Sequence, residues 1–467
     1  TQTGFFAICP RRQAEEMEQA LRLLGFSRPP ALGGETNASL LPADDIRRIE
    51  TQLESLTREE DDIRSSLEKL ALEQEDIQMI VDYYTVRAEK YRIISRLDHS
   101  KNTFIVTGYI PEVDVPLLQK EIEGQFTAVM EVEEADPEKA PVKLHNNAFV
   151  RPAESITEMY AMPLASDIDP TPVLSFFFYL FFGMMLSDAG YGLLLVLGCG
   201  YLIKKCNPEP AMRRNLQLFL YCGISTIIWG LIFGSFFGDI VEQVAKTYFG
   251  APDTFLLFPH RIDPVNNAVL LLVMSLALGL IQILAGLGCR FYMQWHSGDK
   301  WGAVFDTGFW MTTLLGAAIF AVGMALVPSL TTVGAVIAVA SLLGLVLTQG
   351  RKKKGPMKFI SGLASLYDVT GYVSDLMSYS RLMALMLAGS VIAQVFNTLG
   401  AIPGNLVIFF IISLAGNALN FALNLLGCYV HDLRLQCLEY FGKFYQDGGK
   451  PFRPMAVNTR YVDIKEQ

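Results

Sequence analysis

The sequence predicts an α-helical polytopic membrane protein, with about eight membrane helices behind an N-terminal cytoplasmic domain that combines α/β lobes with a coiled coil. Three observations carry this. Apolar stretches long enough to cross a bilayer dominate residues 172–440. Charged residues crowd into the stretch before residue 170. A three-four apolar periodicity runs through residues 46–84.

Composition narrows the function classes. The chain has 467 residues, 51% hydrophobic and 18% charged, with a net charge of −9. The acidic balance comes largely from the first region and weighs against a nucleic-acid partner. The seven cysteines form no CxxC pair, so neither a disulfide scaffold nor a metal site is expected. Cys199, Cys222 and Cys428 lie in apolar stretches and read as small core residues. No GxxxxGK[ST] occurs, so no nucleotide site and no cofactor are expected. The sequence opens at Thr1 on TGFFAICP, with no basic and apolar leader before it. The expectation is therefore no signal peptide and a missing N-terminal segment.

Residues 1–170 are expected to be cytoplasmic. Residues 3–9 read as a strand and the next sixteen or so as a helix ending at Gly25, giving an α/β lobe over 1–36. A coiled-coil helix is expected over 41–98. Its seam is Ile46, Ile49, Leu53, Leu56, Glu60, Ile63, Leu67, Leu70, Gln74, Ile77, Val81 and Tyr84, nearly all apolar or aromatic. One strand of a coiled coil needs another. The partner could be a second copy or an antiparallel arm upstream of Thr1. A second lobe spans 101–135, with strands at 103–110 and 127–133 around a helix at 112–124. Residues 136–172, rich in proline, read as a linker.

The membrane domain is expected over 173–445, followed by a cytoplasmic tail at 446–467. Its apolar stretches are 173–203, 214–238, 267–289, 303–327, 329–349, 371–397 and 403–430. The loops 204–214, 289–301 and 350–358 are basic, and those between are neutral or nearly so. The positive-inside rule then puts the basic loops and both termini on the cytoplasmic side. A cytoplasmic N-terminal domain requires 173–203 to cross an even number of times. The turn signal Ser187-Asp188-Ala189-Gly190-Tyr191-Gly192 splits it into a hairpin with short arms.

Ionisable residues within such stretches are few, because each costs about 2.5–3.5 kcal/mol or more at the bilayer centre. They are Asp188, Asp239, Asp306, Asp375, Arg381, His431, Asp432 and Arg434. Several sit near helix ends, where solvation is the plain explanation. Arg381 has many apolar turns after it and cannot easily reach water. Ser374, Ser378 and Arg381 share a helix face, and Ala384, Ala388 and Gly389 beyond would admit a close neighbour. The plainer alternative is a structural arginine paired with Asp375 or a carbonyl. Ser413, Asn417, Asn420, Asn424, Gly427, His431 and Arg434 form a polar stripe at helical spacing. It reads as a wet groove in preference to a hydrogen-bonded helix seam, because it leads to a cation. The loop residues His260, Arg261 and Asp263 read either as plain solvated loop or as the mouth of an ion path.

Several stretches together resemble one family. They are FVRPAESITEMYAMPLASDIDPTP, FFFYLFFGMMLSDAGYG, DLMSYSRLMALMLAGSVIAQVFN, VHDLRLQCLEYFGKFYQDGGKPFRP and NTFIVTGYIPE. The chain is similar along essentially its whole length to the membrane stator subunit of V/A-type rotary ATPases. That subunit is called subunit I in prokaryotes and subunit a in eukaryotes, and the prokaryotic form is expected. The resemblance implies two long tilted helices carrying Arg381 and Arg434 toward the carboxylates of a rotor ring. It implies two ion half-channels, with Asp368 and Glu439 on the cytoplasmic side and Asp188, Asp239, His260, Arg261 and Asp263 on the outer side. Asp375, Ser378, Asn417, Asn420, Asn424 and His431 complete the candidate lining. The implied partners are a c/K-type proteolipid ring, peripheral stalk subunits held through the coiled-coil domain, the soluble ATPase sector indirectly, and membrane lipid. The transported ion would be H⁺ or Na⁺. The eukaryotic pattern has His eight residues after the first arginine and Glu ten before the second, where this chain has Gly389 and Asn424. The rival readings are a secondary transporter, which predicts an internal repeat that is not evident, and a membrane-anchored coiled-coil scaffold.

Overall fold

A computed structural model describes residues 9–24, 42–137, 139–206, 208–252, 264–325, 327–349, 366–454 and 459–462, with Ile262 and Ala364 besides. The predicted strand at 3–9 and the basic loop at 350–358 lie almost wholly outside them. The chain forms two compact units, residues 1–107 with 455–467, and residues 108–454.

The first unit is built from helices. α1 (Ala14–Leu23) has Glu15 and Glu16 in its first turn and Arg22 in its last, the polarity that a helix dipole favours. α2 (Pro42–Leu72) and α3 (Gln74–Ile94) carry the periodic apolar positions. Those positions stand exposed: Leu53 is 61% accessible, Leu67 61% and Ile77 53%. A short hairpin follows, β1 (Asp98–His99) with β2 (Phe104–Ile105), pairing Asp98 with Ile105. The rest of the predicted strand at 103–110 pairs with no strand among the described residues. Asp82 of α3 is buried and accepts the backbone N–H groups of Arg460, Tyr461 and Val462 at 2.7–3.0 Å. Burial alone pushes its carboxyl up, but the three backbone donors and the Arg460 charge outweigh it and hold the pKa below the usual value.

The second unit opens with α4 (Val115–Gln125), as the sequence predicts. Residues 127–133 are not a strand: no described strand pairs with them, and Val129 is 91% exposed. Alternating apolar residues do not make a strand without a hydrogen-bonding neighbour. The proline-rich stretch after it is more than a linker. It contains β3 (Pro141–Val142), α5 (Glu154–Tyr160) and β4 (Met162–Pro163). β5 (Asp447–Pro451), from beyond the last membrane helix, pairs parallel with β3 and antiparallel with β4. Tyr445 Oη also donates to the Ala161 carbonyl. The segment that leads into the membrane helices is thus stitched to the one that leaves them.

The stretch 173–203 divides as α6 (Thr171–Leu186) and α7 (Ala189–Lys205), with Ser187 left-handed at φ 41° between them. Then come α8 (Pro210–Phe233), α9 (Ile240–Phe249), α10 (Ala268–His296), α11 (Lys300–Ala325) and α12 (Pro328–Thr348). α13 (Asp368–Ser378) and α14 (Ser380–Ala401) meet at Tyr379. α15 (Leu406–Arg434) continues as a wider π turn over Leu435–Tyr440. Among the described residues, six helical stretches are long and apolar enough to span a bilayer: α8, α10, α11, α12, α13 with α14, and α15 with its extension. The protein is a multi-pass α-helical membrane protein.

α6 sits at the centre. Phe178, Phe181 and Phe182 are fully buried, and Phe177 nearly so. A helix apolar all round belongs in a protein core or a bilayer, and α6 is covered on most sides, with Phe176 left exposed. Its neighbours include α8, α14 and α15. Cys199, Cys222 and Cys428 are buried in this bundle.

Candidate functional site on two arginine-bearing helices

Arg381 stands in the first turn of α14, just past the break at Tyr379. Its side chain is 24% exposed and its Nη1 lies 3.7 Å from Glu439 Oε1. Nη2 donates to Ser378 Oγ at a long 3.4 Å. Neither Nη1 nor Glu439 Oε2 has a hydrogen bond among the described residues. A guanidinium carries five N–H donors, so most of this one's capacity is unused.

The carboxylate beside Arg381 is Glu439, not Asp375. Asp375 is taken by Lys443, whose Nζ also lies over the Tyr372 ring at 4.4 Å from its centroid. Two ion pairs of opposite sense therefore join α13 and the start of α14 to the segment after Arg434. Asp368 stands exposed in the first turn of α13.

Each arginine lies on an exposed line of its helix. Arg381 continues the line of Met377, Ala384, Ala388, Val391 and Val395. Arg434, itself exposed, continues the line of Leu423, Leu426, Val430 and Leu438. α14 and α15 pack side by side. Alanines on the Arg381 line leave room for another helix.

The polar stripe differs from the sequence expectation. Over Asn417–Asn424 it is a hydrogen-bonded seam rather than a wet groove, while Ser413 Oγ has no hydrogen bond among the described residues. Asp239 accepts from Gln243 Nε2 and Asn397 Nδ2, both at 3.0 Å. Asn417 Nδ2 donates to Asn397 Oδ1 at 3.1 Å, and Tyr191 Oη donates to Asn417 Oδ1 at 2.7 Å. Asn420 Nδ2 donates to Tyr191 Oη at 3.1 Å, and Asn424 Nδ2 to Asn420 Oδ1 at 2.7 Å. The chain of contacts runs unbroken from α9 to Asn424. Buried amides in lipid must find partners, and here they find one another. Arg434 is not on this line. Between them His431 is half-buried, with Nδ1 lacking a hydrogen bond among the described residues. Asn424 packs against Gly389, where a Cβ would come within 3.0 Å of its amide nitrogen. The departures from the eukaryotic pattern at 389 and 424 thus touch each other.

Asp188 has the geometry of an anchor. It caps α7 through Gly190 N and Tyr191 N at 2.9 and 3.1 Å. It also accepts from Phe237 N, Gly238 N and Ser235 Oγ. Five donors converge on two oxygens. His260, Arg261 and Asp263 lie outside the described residues. Among those described, no three His, Cys, Asp or Glu side chains gather as a metal site requires.

Sequence reasoning missed Tyr191, Gln282, Tyr379, Asn397, Gln436 and Lys443. The first five are uncharged, and a search confined to charges passes them over. Gln282 did leave a signal, a lone amide within the apolar run LALGLIQILAGL.

Comparison with known proteins gives the family of the chain. Residues 41–240 match the V-type ATPase 116kDa subunit family. The chain is 31% identical over 395 residues to A-type ATP synthase subunit I of Pyrococcus horikoshii, covering 81% of this chain and 57% of that protein. It is 30% identical over 453 residues to A-type ATP synthase subunit I of Methanocaldococcus jannaschii, covering 90% and 65%. V-type ATP synthase subunit I of Chlamydia trachomatis is 27% identical over 379 residues, covering 68% and 56%. The chain thus spans less than two thirds of the length of each of these relatives. The helical membrane architecture accords with these matches, and the chain belongs to the V-type ATPase 116kDa subunit family, that of subunit I of A- and V-type ATP synthases.

Proposed function

We propose that the chain is the membrane stator subunit of a rotary ATPase or ATP synthase, coupling H⁺ or Na⁺ flow to the turning of a proteolipid rotor ring. The relatives are named as ATP synthase subunits. The observation that carries the reading is Arg381, partly exposed and under-bonded, on an exposed line that includes Ala384 and Ala388. A cation left incompletely partnered in a membrane helix is expensive unless a moving carboxylate completes it. A rotor carboxyl must be neutral in lipid and ionised at the stator. A fixed guanidinium lowers its pKa and makes that switch. Arg434 would hold a second carboxylate, and the two cations would block direct leakage between half-channels.

On this reading Glu439, Asp368 and Asp375 line the cytoplasmic half-channel, with Ser378 and His431 at the arginine level. Asp188, Asp239, His260, Arg261 and Asp263 belong to the outer one, and Asn417, Asn420 and Asn424 form the wall that separates them. α6 and α7 together with the six longer helices make eight membrane helices, with both termini cytoplasmic. Residues 1–170 form the cytoplasmic domain, whose coiled-coil seam takes the peripheral stalk side of the complex.

The test is Arg381→Gln in the assembled rotary complex, reconstituted in proteoliposomes. Ion transport coupled to ATP should fall to background while the subunit still assembles with its ring. Transport at the native rate would sink the reading.

A further inference from the structure

Each arginine helix is irregular beside its arginine, and both irregularities are tied to one side chain. Tyr379, the turn residue between α13 and α14, lies two positions before Arg381. The π turn that follows α15 holds Gln436, two positions after Arg434. Gln282 of α10 stands between them. Its Oε1 accepts from Tyr379 Oη at 2.8 Å, and its Nε2 donates to Gln436 Oε1 at 2.6 Å. Gln436 Nε2 in turn donates to Asp432 Oδ1 at 3.2 Å. Tyr379, Gln282, Gln436 and Asp432 are all 0% exposed. One turn earlier on α10, Gly279 faces the Tyr379 ring, and a Cβ there would overlap it.

Two physical points lift this above ordinary core polarity. First, a π turn inside a long helix is rare and costs regular hydrogen bonding, so it persists where the surroundings hold it. Second, an amide has one accepting and one donating end. Asp432 takes the Gln436 Nε2, which turns the Gln436 carbonyl to the Gln282 amide and leaves the Gln282 carbonyl for Tyr379, so losing Gln282 orphans a buried hydroxyl and a buried carbonyl together. Side chains of any other size would set a different distance between the two irregular points.

The geometry points to Gln282 as a positioning residue that sets the register of Arg381 against Arg434, by pinning the break before one and the wide turn after the other. This rests on the functional reading above, in which both arginines meet rotor carboxylates. It predicts that the rotor interface depends on a side chain that never touches the rotor.

The experiment uses the full rotary complex in proteoliposomes and compares Gln282→Leu, Gln282→Glu and Tyr379→Phe with Arg381→Gln. Gln282→Leu keeps the volume and loses both bonds. Coupled ion transport per assembled complex should fall about tenfold or more. Gln282→Glu separates register from packing. A neutral carboxyl can accept from Tyr379 and donate to Gln436, whereas a carboxylate can only accept, and burial favours the neutral form. Its transport should approach the native rate at acidic pH and fall as pH rises, more steeply than the native enzyme. A pH profile parallel to the native one, or Gln282→Leu within about twofold of native, overturns the inference. If Gln282→Leu does not assemble, Tyr379→Phe decides. It removes one hydroxyl while the ring still packs on Gly279, and it should slow transport severalfold; a native rate there overturns the inference as well. Arg381→Gln separates the two levels. Should it transport normally, the functional reading itself falls; should it be inactive while the Gln282 and Tyr379 variants are native, only the register inference falls.

Discussion

Arg381 and Glu439 face each other at 3.7 Å, close enough to attract and too far for a hydrogen bond. Each keeps an atom without a hydrogen bond among the described residues. A fully made salt bridge would lock the guanidinium away. This loose one leaves it available to a stronger, closer carboxylate, while still lowering the cost of an arginine in the membrane domain.

Glu439→Gln should therefore assemble and bind its ring, yet lose coupled transport by about tenfold or more. The amide keeps the size but neither balances the guanidinium nor carries a proton. The measurement is ATP-driven ion uptake into proteoliposomes, normalised to assembled complex. Uptake within about twofold of native would remove Glu439 from the ion path.

The Asp375–Lys443 pair is partly exposed, with side chains 28% and 15% accessible. It should contribute about 1–2 kcal/mol, between the surface and buried limits. Lys443→Met should lower stability by that amount, and so should Asp375→Leu. The double variant should cost less than the sum of the two. A double-mutant cycle on thermal unfolding in detergent reads this coupling; strict additivity would show that the pair contributes nothing.

Asp188→Ala leaves the first turn of α7 and the donors of Ser235, Phe237 and Gly238 without their acceptor. Loss of a cap costs about 0.5–2 kcal/mol, and each orphaned buried donor adds about 1–3 kcal/mol before relaxation. The variant should show a clearly lowered unfolding temperature and reduced yield. A native unfolding temperature would mean that the five contacts are not what holds the α6–α7 turn.

Asp82 ties down residues 460–462, and its folded pKa lies below its ordinary value. A carboxyl depressed on folding contributes stability above its unfolded pKa and loses it as pH falls through the lower, folded one. The tail should stay docked at neutral pH and loosen only below the ordinary carboxylate value of 3.8. Asp82→Asn should loosen it at every pH. Hydrogen exchange at the 460–462 amides measures this, with faster exchange expected in the variant at neutral pH. Unchanged exchange would show that the carboxylate is not the tether.

The arginines themselves were legible in the sequence, because charge inside an apolar run is costly enough to stand out. Their partners were not. Asp375 is close to Arg381 along the chain, yet Lys443 takes it, and Glu439 arrives from 58 residues further on. The polar stripe was visible by helical spacing. Spacing cannot say whether a stripe faces water or another helix, and Tyr191 and Asn397 settle that for Asn417 and Asn420. The predicted strand at 127–133 failed for the same reason: periodicity fixes a face, not a neighbour.

By itself the sequence determined what each segment can be. Runs of apolar residues set the membrane helices, Ser187 and Asp188 set the break between α6 and α7, and the uncompensated charges marked the site. These are local consequences of burial cost and backbone preference. Only the tertiary structure decided which polar groups meet. It placed Gln282 between Tyr379 and Gln436, closed the asparagine seam, and joined β5 to β3 and β4 across the whole membrane domain. Hydrogen bonds and ion pairs need a partner within about 3–4 Å, and which residue lies that close is a property of the fold as a whole.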